Sequence, residues 1–574
     1  MDIEEEICKE ISKILEKDFY EINKIIVKNE SISRGNFSLP CFKFANEFKE
    51  KPENIATKIK EQLNLDYIEK SEVIGGFLNI YIKKDIYIKN VLEKIELEGE
   101  KYGSTHNGVG KKTLVEHTSI NPNASPHIGR ARNAILGDSI VNILKFNDYD
   151  VEVHYFVNDI GKQIAMLVIA GRKKDKFDFE DLLQMYVEMN KEIKENQELE
   201  KEVFDILDKL ENGDKTIIEE FRKLVKICVD GQTEIFKELG IYYDYFDYES
   251  DFILNGDIEK LLNDLKETNM LFEAEDGRLA INQEAYNIPV RCPVLCVARS
   301  NKTSLYPLRD IAYTIYKDKI GKDRNIVILG EDQRVYFKQI TAALDLLGYK
   351  EPEVVHYSFV LLPDGKMSTR NGTVVLLKDF MNEVLEKAKQ ELQKRDEIID
   401  IEKAKKIAYG TVKYTILKSS LEKNIIFNIE EAMNFNGDTS LYIQYNYARI
   451  ISLLEKANNV NMTEKKYELL KEDVEMSLVQ KLDNFKNVMS NASEKLAPNL
   501  ICNYVYDLTK LFANYYHDYS ILNAENEDIK CMRLQLVKSI GNVIKISLNI
   551  LGIDVIDRIQ FLITYIWRTL LVFL

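Results

Sequence analysis

His127-Ile128-Gly129-Arg130 stands at the mouth of a helical stretch, and Lys366-Met367-Ser368-Thr369-Arg370 follows much later between Gly365 and Gly372. An imidazole, a residue without a side chain and several cations are groups that receive phosphates, and in this order they suggest adenylate-forming chemistry. Arg130 and Arg132 fall in or near the first turn of the expected helix. The helix dipole disfavours cations there, so an anion at that end would account for them, and a nucleoside triphosphate is the natural candidate.

These residues need a frame. Before the first group, "TLVEHTSI" is a β-branched run and Asn121, Pro122, Asn123 and Pro126 build a turn; after it come apolar residues at helical spacing. Further on, "VEVHYFVND", "NIVILGED", the helix "QRVYFKQITAALDLLG" and "EVVHYSFVLL" continue the alternation of strand and helix. That alternation predicts an α/β doubly wound parallel sheet, whose ligands lie beyond the strand C-termini, where both groups of residues fall. The reading divides the chain as follows: an α+β unit over 1–108, the α/β unit over 109–375 with a helical insertion at about 172–290, a helical connector over 376–435 and an all-α bundle over 436–559. Beyond about 376 only helices are expected. Tyr442, Tyr445, Tyr447, Tyr504, Tyr506, Tyr515 and Tyr516 of the bundle could stack on unpaired bases, although tyrosines at helical spacing more often pack a core.

Bulk properties agree with this division. At 574 residues the chain exceeds a single core, and roughly 150 residues per domain predicts several. With 45% hydrophobic and 30% charged residues it belongs with ordinary globular proteins. A net charge of −16 argues only weakly against nucleic acid, because local grooves decide such binding. The seven scattered cysteines suit reduced thiols in a cytosol, and Cys292 and Cys296 lack a second ligand pair for zinc, so no metal site is expected. The acidic N-terminus lacks the basic and apolar regions of a secretory signal. The apolar tail 560–574 carries Arg568 and is shorter than the about 20 residues a bilayer span needs, so a packed terminal helix or a cloning or reading-frame oddity is expected over a stable membrane association, and its role is unassigned.

Across nearly the whole chain the residues resemble class I arginyl-tRNA synthetases. "VEHTSINPNASPHIGRARNAILGD" resembles the approach to the family's HIGH signature, here Pro122, Asn123, His127, Ile128, Gly129, Arg130 and Arg132. "LYPLRDIAY" resembles its Tyr-x-x-x-Asp segment, "VILGEDQRVYFKQI" the strand and helix carrying its glutamine, and "GKMSTRNG" its KMSKS-type loop. "GGFLNIYI" resembles the end of its N-terminal tRNA-elbow domain and "LYIQYNYARI" the start of its DALR anticodon-binding bundle.

The resemblance implies a Rossmann-like catalytic domain, ATP as substrate with Mg2+, L-arginine and its tRNA as partners, a monomer, and a cytoplasmic location. It implies that His127 contacts ATP phosphates, that Gly129 lets adenine approach the backbone, and that Lys366, Ser368 and Arg370 close over pyrophosphate. Tyr306 and Asp310 would take the guanidinium, which rewards paired acceptors; Asn121 and Gln333 would orient the amino acid, with Glu116 and Ser119 nearby. Arg130 departs from the signature's second histidine, Thr369 from a customary lysine, and Ala124 stands where relatives often carry a lysine. Arg130, Arg132 and Arg370 are the expected replacements for the missing cations. The alternative reading is a tRNA-binding homologue without aminoacylation activity; a small-molecule nucleotidyltransferase is a third, which would not need the C-terminal bundle.

Overall fold

The computed structural model describes residues 3–29, 34–174, 176–320, 322–361, 375–394, 400–457 and 465–558. The N-terminal unit is an antiparallel sheet in the order β1 (Val27–Lys28), β2 (Phe37–Pro40), β4 (Phe77–Ile82), β3 (Ile68–Ile74), packed on helices Ile3–Leu15 and Pro52–Gln62. Ile7, Ile11, Leu39, Ile59 and Ile80 are buried there, the product of period-two and period-3.6 spacing on facing surfaces.

The central sheet is parallel throughout, in the order β12 (Glu353–Tyr357), β11 (Arg324–Gly330), β5 (Lys112–Glu116), β6 (Asp150–Val157), β7 (Tyr245–Tyr248). The chain moves outward from β5 to β7 on one side and then returns to lay β11 on the other. The topological switch point therefore lies between β5 and β11, and ligands of such sheets bind beyond the strand C-termini at that point.

Two expectations need correction. The stretch 172–290 holds helices Asp181–Glu195, Gln197–Glu211 and Lys215–Glu238, but it also contains β7 and the strands β8 (Leu271–Glu273) and β9 (Leu279–Asn282) of a small antiparallel sheet completed by β10 (Val294–Ala298). β7 is an edge strand with no fully buried residue, so it lacks the apolar run that marks an inner strand. Nor is the chain purely helical beyond 376: β14 (Ile425–Ile426) pairs in parallel with β13 (Val360–Leu361). A two-residue strand has no periodicity to read.

The C-terminal bundle comprises helices Ser440–Lys456, Asp473–Asp483, Phe485–Lys495, Asn499–Asp518 and Glu527–Ile550. Tyr447, Tyr504 and Tyr515 are buried in it and are unavailable to bases, whereas Tyr442, Tyr445 and Tyr506 are half-buried and Tyr516 is exposed. The N-terminal unit docks on this bundle through Tyr87, whose hydroxyl donates to Asp483 at 2.8 Å, and Tyr102, whose hydroxyl donates to the Leu482 carbonyl at 3.0 Å. The apolar segment 560–574 lies outside the described residues, among which no helix is long and apolar enough to cross a membrane.

Candidate active site

β5 ends at Glu116, and the chain then turns through Thr118, a β-branched residue held at φ +64°. Such a backbone needs outside support, and Asn133 supplies it: its Oδ1 accepts the Thr118 amide at 2.5 Å, while its Nδ2 donates to the Ile328 carbonyl of β11 at 2.7 Å. One buried amide thus ties both strands flanking the switch point to the helix between them. Reading the sequence did not single out Asn133; its side-chain partners lie up to 195 residues away.

That helix, Ile128–Phe146, begins with His127 at its N-cap, has no acidic residue in its first turn and receives no side-chain cap. Its open end suits an anion. The His127 ring is neutral near pH 7, because burial, helped by the Arg130 charge, pulls its pKa down to about 4. Its Nδ1 has no hydrogen-bond partner among the described residues. A Cβ on Gly129 would stand 3.0 Å from both Cε1 and Nδ1 of that ring, so only glycine leaves the imidazole where it lies. Arg130 is exposed at the same end.

Arg132 corrects the sequence reading. It is fully buried and donates to four carbonyls, those of Ser358 (2.5 Å), Lys423 (2.9 Å), Ser420 (3.1 Å) and Leu421 (3.2 Å). The guanidinium is a staple between the helix and two turns, and it has no face left for a phosphate. Burial pulls its pKa down only to about 10, so it remains a cation.

Lys366, Ser368 and Arg370, with Met367 and Thr369, lie outside the described residues. The chain resumes beside the helix N-terminus: the Ile128 amide donates to the Val375 carbonyl at 3.2 Å, the Leu377 amide to the Pro126 carbonyl at 2.8 Å, and His127 bridges to Leu376. Residues 126–128 and 375–377, more than 200 residues apart in sequence, are therefore joined at the N-terminus of this helix.

The opposite wall is the helix Tyr306–Lys319. Asp310 is half-buried, and its Oδ2 accepts from the Tyr336 hydroxyl, whose ring lies 4.9 Å from that of Tyr306 at 38°. Burial raises the Asp310 pKa to about 6, with the nearby Glu116 carboxylate adding to the rise and Tyr336, Arg309 and Lys317 opposing it. No ion pair engages Asp310 among the described residues. Its neighbouring acids are in contrast occupied. Glu116 pairs with the buried Lys317 and accepts from Ser119 Oγ at 3.0 Å, and Glu249 pairs with Arg309 at 2.5 Å. Glu116 therefore reaches the pocket already paired with a cation. Asn121 and Asn123 both donate to Gln163, at 3.3 and 2.9 Å, while Gln333 is exposed in the 3-10 turn Glu331–Gln333 that follows β11. Pro122 is buried beneath that asparagine turn.

Residues 91–429 match the model of the class I tRNA synthetase (R) catalytic domain, residues 443–559 that of the DALR anticodon binding domain, and residues 1–82 that of the arginyl tRNA synthetase N-terminal domain. The chain is 35% identical to the arginine-tRNA ligase of Methanocaldococcus jannaschii over 96% of its own length and 99% of that protein's. It is 31% identical to the arginine-tRNA ligase of Clostridium perfringens, with 97% and 100% of the two chains covered. The fold superposes on Thermus thermophilus arginyl-tRNA synthetase with a TM-score of 0.80 at 24% identity, covering 97% of this chain and 100% of that one. By these matches and by the order of its parts, the chain belongs to the arginyl-tRNA synthetase family of class I aminoacyl-tRNA synthetases.

Proposed function

We infer that the chain is an ATP-dependent arginine-tRNA ligase. The arginine α-carboxylate attacks the α-phosphorus of ATP, the bond to the β-phosphate breaks and pyrophosphate leaves. A ribose hydroxyl of the tRNA's terminal adenosine then attacks the adenylate carbonyl, and AMP departs. In the first step the enzyme's work is to align two anions and to receive charge that spreads onto pyrophosphate. His127, as a neutral donor, and Arg130 at the open helix end are assigned to the phosphates, with Mg2+ arriving on ATP as part of the substrate. Lys366, Ser368 and Arg370 are assigned to pyrophosphate by family resemblance. Asn121, Ser119 and Gln333 are assigned to the arginine backbone, Tyr306 and Asp310 to its guanidinium.

One observation carries the substrate assignment: among the described residues Asp310 has no ion pair and lies beside two tyrosine rings, while Glu116 and Glu249 are already paired. A guanidinium completes that set through charge-assisted bonding and ring contact. We assign 1–108 to the tRNA elbow and 436–559 to the anticodon, joined through the catalytic unit 109–375 and the connector 376–435. The protein is expected to act as a cytoplasmic monomer. Pyrophosphate exchange tests the first step: arginine should drive it, Asp310→Asn should abolish the dependence on arginine, and exchange driven equally by lysine would sink the assignment. Repeating the assay with and without tRNA tests our expectation that tRNA is needed for activation; equal rates would reject it.

A further inference from the structure

Tyr336 is not among the residues assigned above to substrate; it lies on the helix Arg334–Leu346, one turn beyond Gln333. Its hydroxyl nevertheless donates to Asp310 Oδ2, and its ring packs 4.9 Å from Tyr306. Both guanidinium contacts of the pocket are therefore held by one side chain from a different element. Asp310 has few other means of fixing its carboxylate plane. The acids and bases around it point elsewhere: Arg309 to Glu249 and Ser304, Lys317 to Glu116. A carboxylate free to rotate would waste the fork geometry that separates a guanidinium from an ammonium.

We propose that Tyr336 is a positioning residue of the arginine pocket: its hydroxyl orients Asp310, leaving Oδ1 and the outer lone pairs for the guanidinium, and its ring sets the plane of Tyr306. The inference rests on the arginine reading of Asp310 and adds to it a residue from a second helix. Tyr336 also stabilises the ionised carboxylate against burial and against the Glu116 charge, in the same sense as Arg309 and Lys317.

Tyr336→Phe removes the hydroxyl and keeps the ring. In arginine-dependent pyrophosphate exchange, with tRNA present, the arginine KM should rise about tenfold or more, the range of a lost hydrogen bond to a charged group. The ATP KM and kcat should stay within about threefold, because the hydroxyl and ring contacts of Tyr336 run to Asp310 and Tyr306, the residues assigned to the guanidinium. The pH below which the arginine KM climbs should move upward in the variant. Placing 3-fluorotyrosine at position 336, a nearly isosteric and more acidic phenol, should move that pH downward in a protein that folds normally. An unchanged arginine KM in Tyr336→Phe, or identical pH profiles for tyrosine and 3-fluorotyrosine, would overturn the proposal. If the unmodified enzyme shows no arginine-dependent exchange at all, the fault lies with the functional reading and both fall together.

Discussion

Arg132 provides the sharpest test of structure against sequence pattern, because its position in the first turn of the HIG helix suggests a phosphate ligand and its surroundings make it a staple. Arg132→Ala would remove four donors from a fully buried site. Two of the carbonyls keep another partner: Leu421 O accepts the Ser358 amide at 2.9 Å, and Ser420 O the Lys423 amide at 3.1 Å. The carbonyls of Ser358 and Lys423 lose the guanidinium, and an unsatisfied buried acceptor costs about 1–3 kcal/mol. The relief of no longer burying a cation offsets part of that loss, while the void left by a long side chain adds to it. A net destabilisation of about 3 kcal/mol is expected, which for a domain of this size lowers the melting temperature by roughly 6–12 °C. Thermal melting followed by circular dichroism reads it, and pyrophosphate exchange well below the melting point supplies the ATP KM. Both the Ser358 and the Lys423 turns support the β13–β14 pair next to the 362–374 segment, so kcat should fall as well. A melting temperature unchanged within about 2 °C, together with an ATP KM raised tenfold, would refute the staple and restore the phosphate role.

Other expectations follow from the same geometry. Burial holds the Asp310 pKa at about 6, and the cationic substrate needs the carboxylate, so the arginine KM should be flat above pH 7 and climb as pH falls through 6, by up to tenfold per unit; a flat profile from pH 5 to 8 would contradict it. Gly129→Ala should push the His127 imidazole off its position and cut kcat by about tenfold with little change in stability, since misplacement of a positioning group is costly in rate; full activity would show that the ring's place is immaterial. Arg130→Ala should raise the ATP KM by about fivefold while leaving the melting temperature unaffected, the side chain being exposed; a gain in activity, or a larger one in Arg130→His, would mark Arg130 as a defect of the signature.

The alternation of strands and helices was legible, because the inner parallel strands are short runs rich in β-branched and apolar residues between stretches of helical spacing: "LVEHTSI", "VEVHYFV" and "NIVILG" all fall in the central sheet or just past its strand ends. β7 was not, since the partly exposed edge strand Tyr-Phe-Asp-Tyr has no such run. For the site, placements set locally were legible. His127 does stand at a helix N-cap, and Tyr306 and Asp310, which the family resemblance puts one helical turn apart, do lie so. What escaped were roles set by partners distant in the chain. Arg132 became structural because turns some 226 to 291 residues later supply its acceptors. Glu116 is paired with a lysine 201 residues away, Asn133 bridges two strands, and Tyr336 meets Asp310 across two helices. Periodicity reports the face a residue occupies and carries no information about which group faces it.

The central claim is that Asp310 and its tyrosines make this an enzyme for arginine. It is tested most directly by charging unfractionated tRNA with each amino acid in turn. Arginine alone should appear on tRNA, in a reaction that consumes ATP and is lost in Asp310→Asn. Charging with another amino acid, or with none while the chain still binds tRNA, would contradict it, the second result pointing to a homologue that binds tRNA without aminoacylating it.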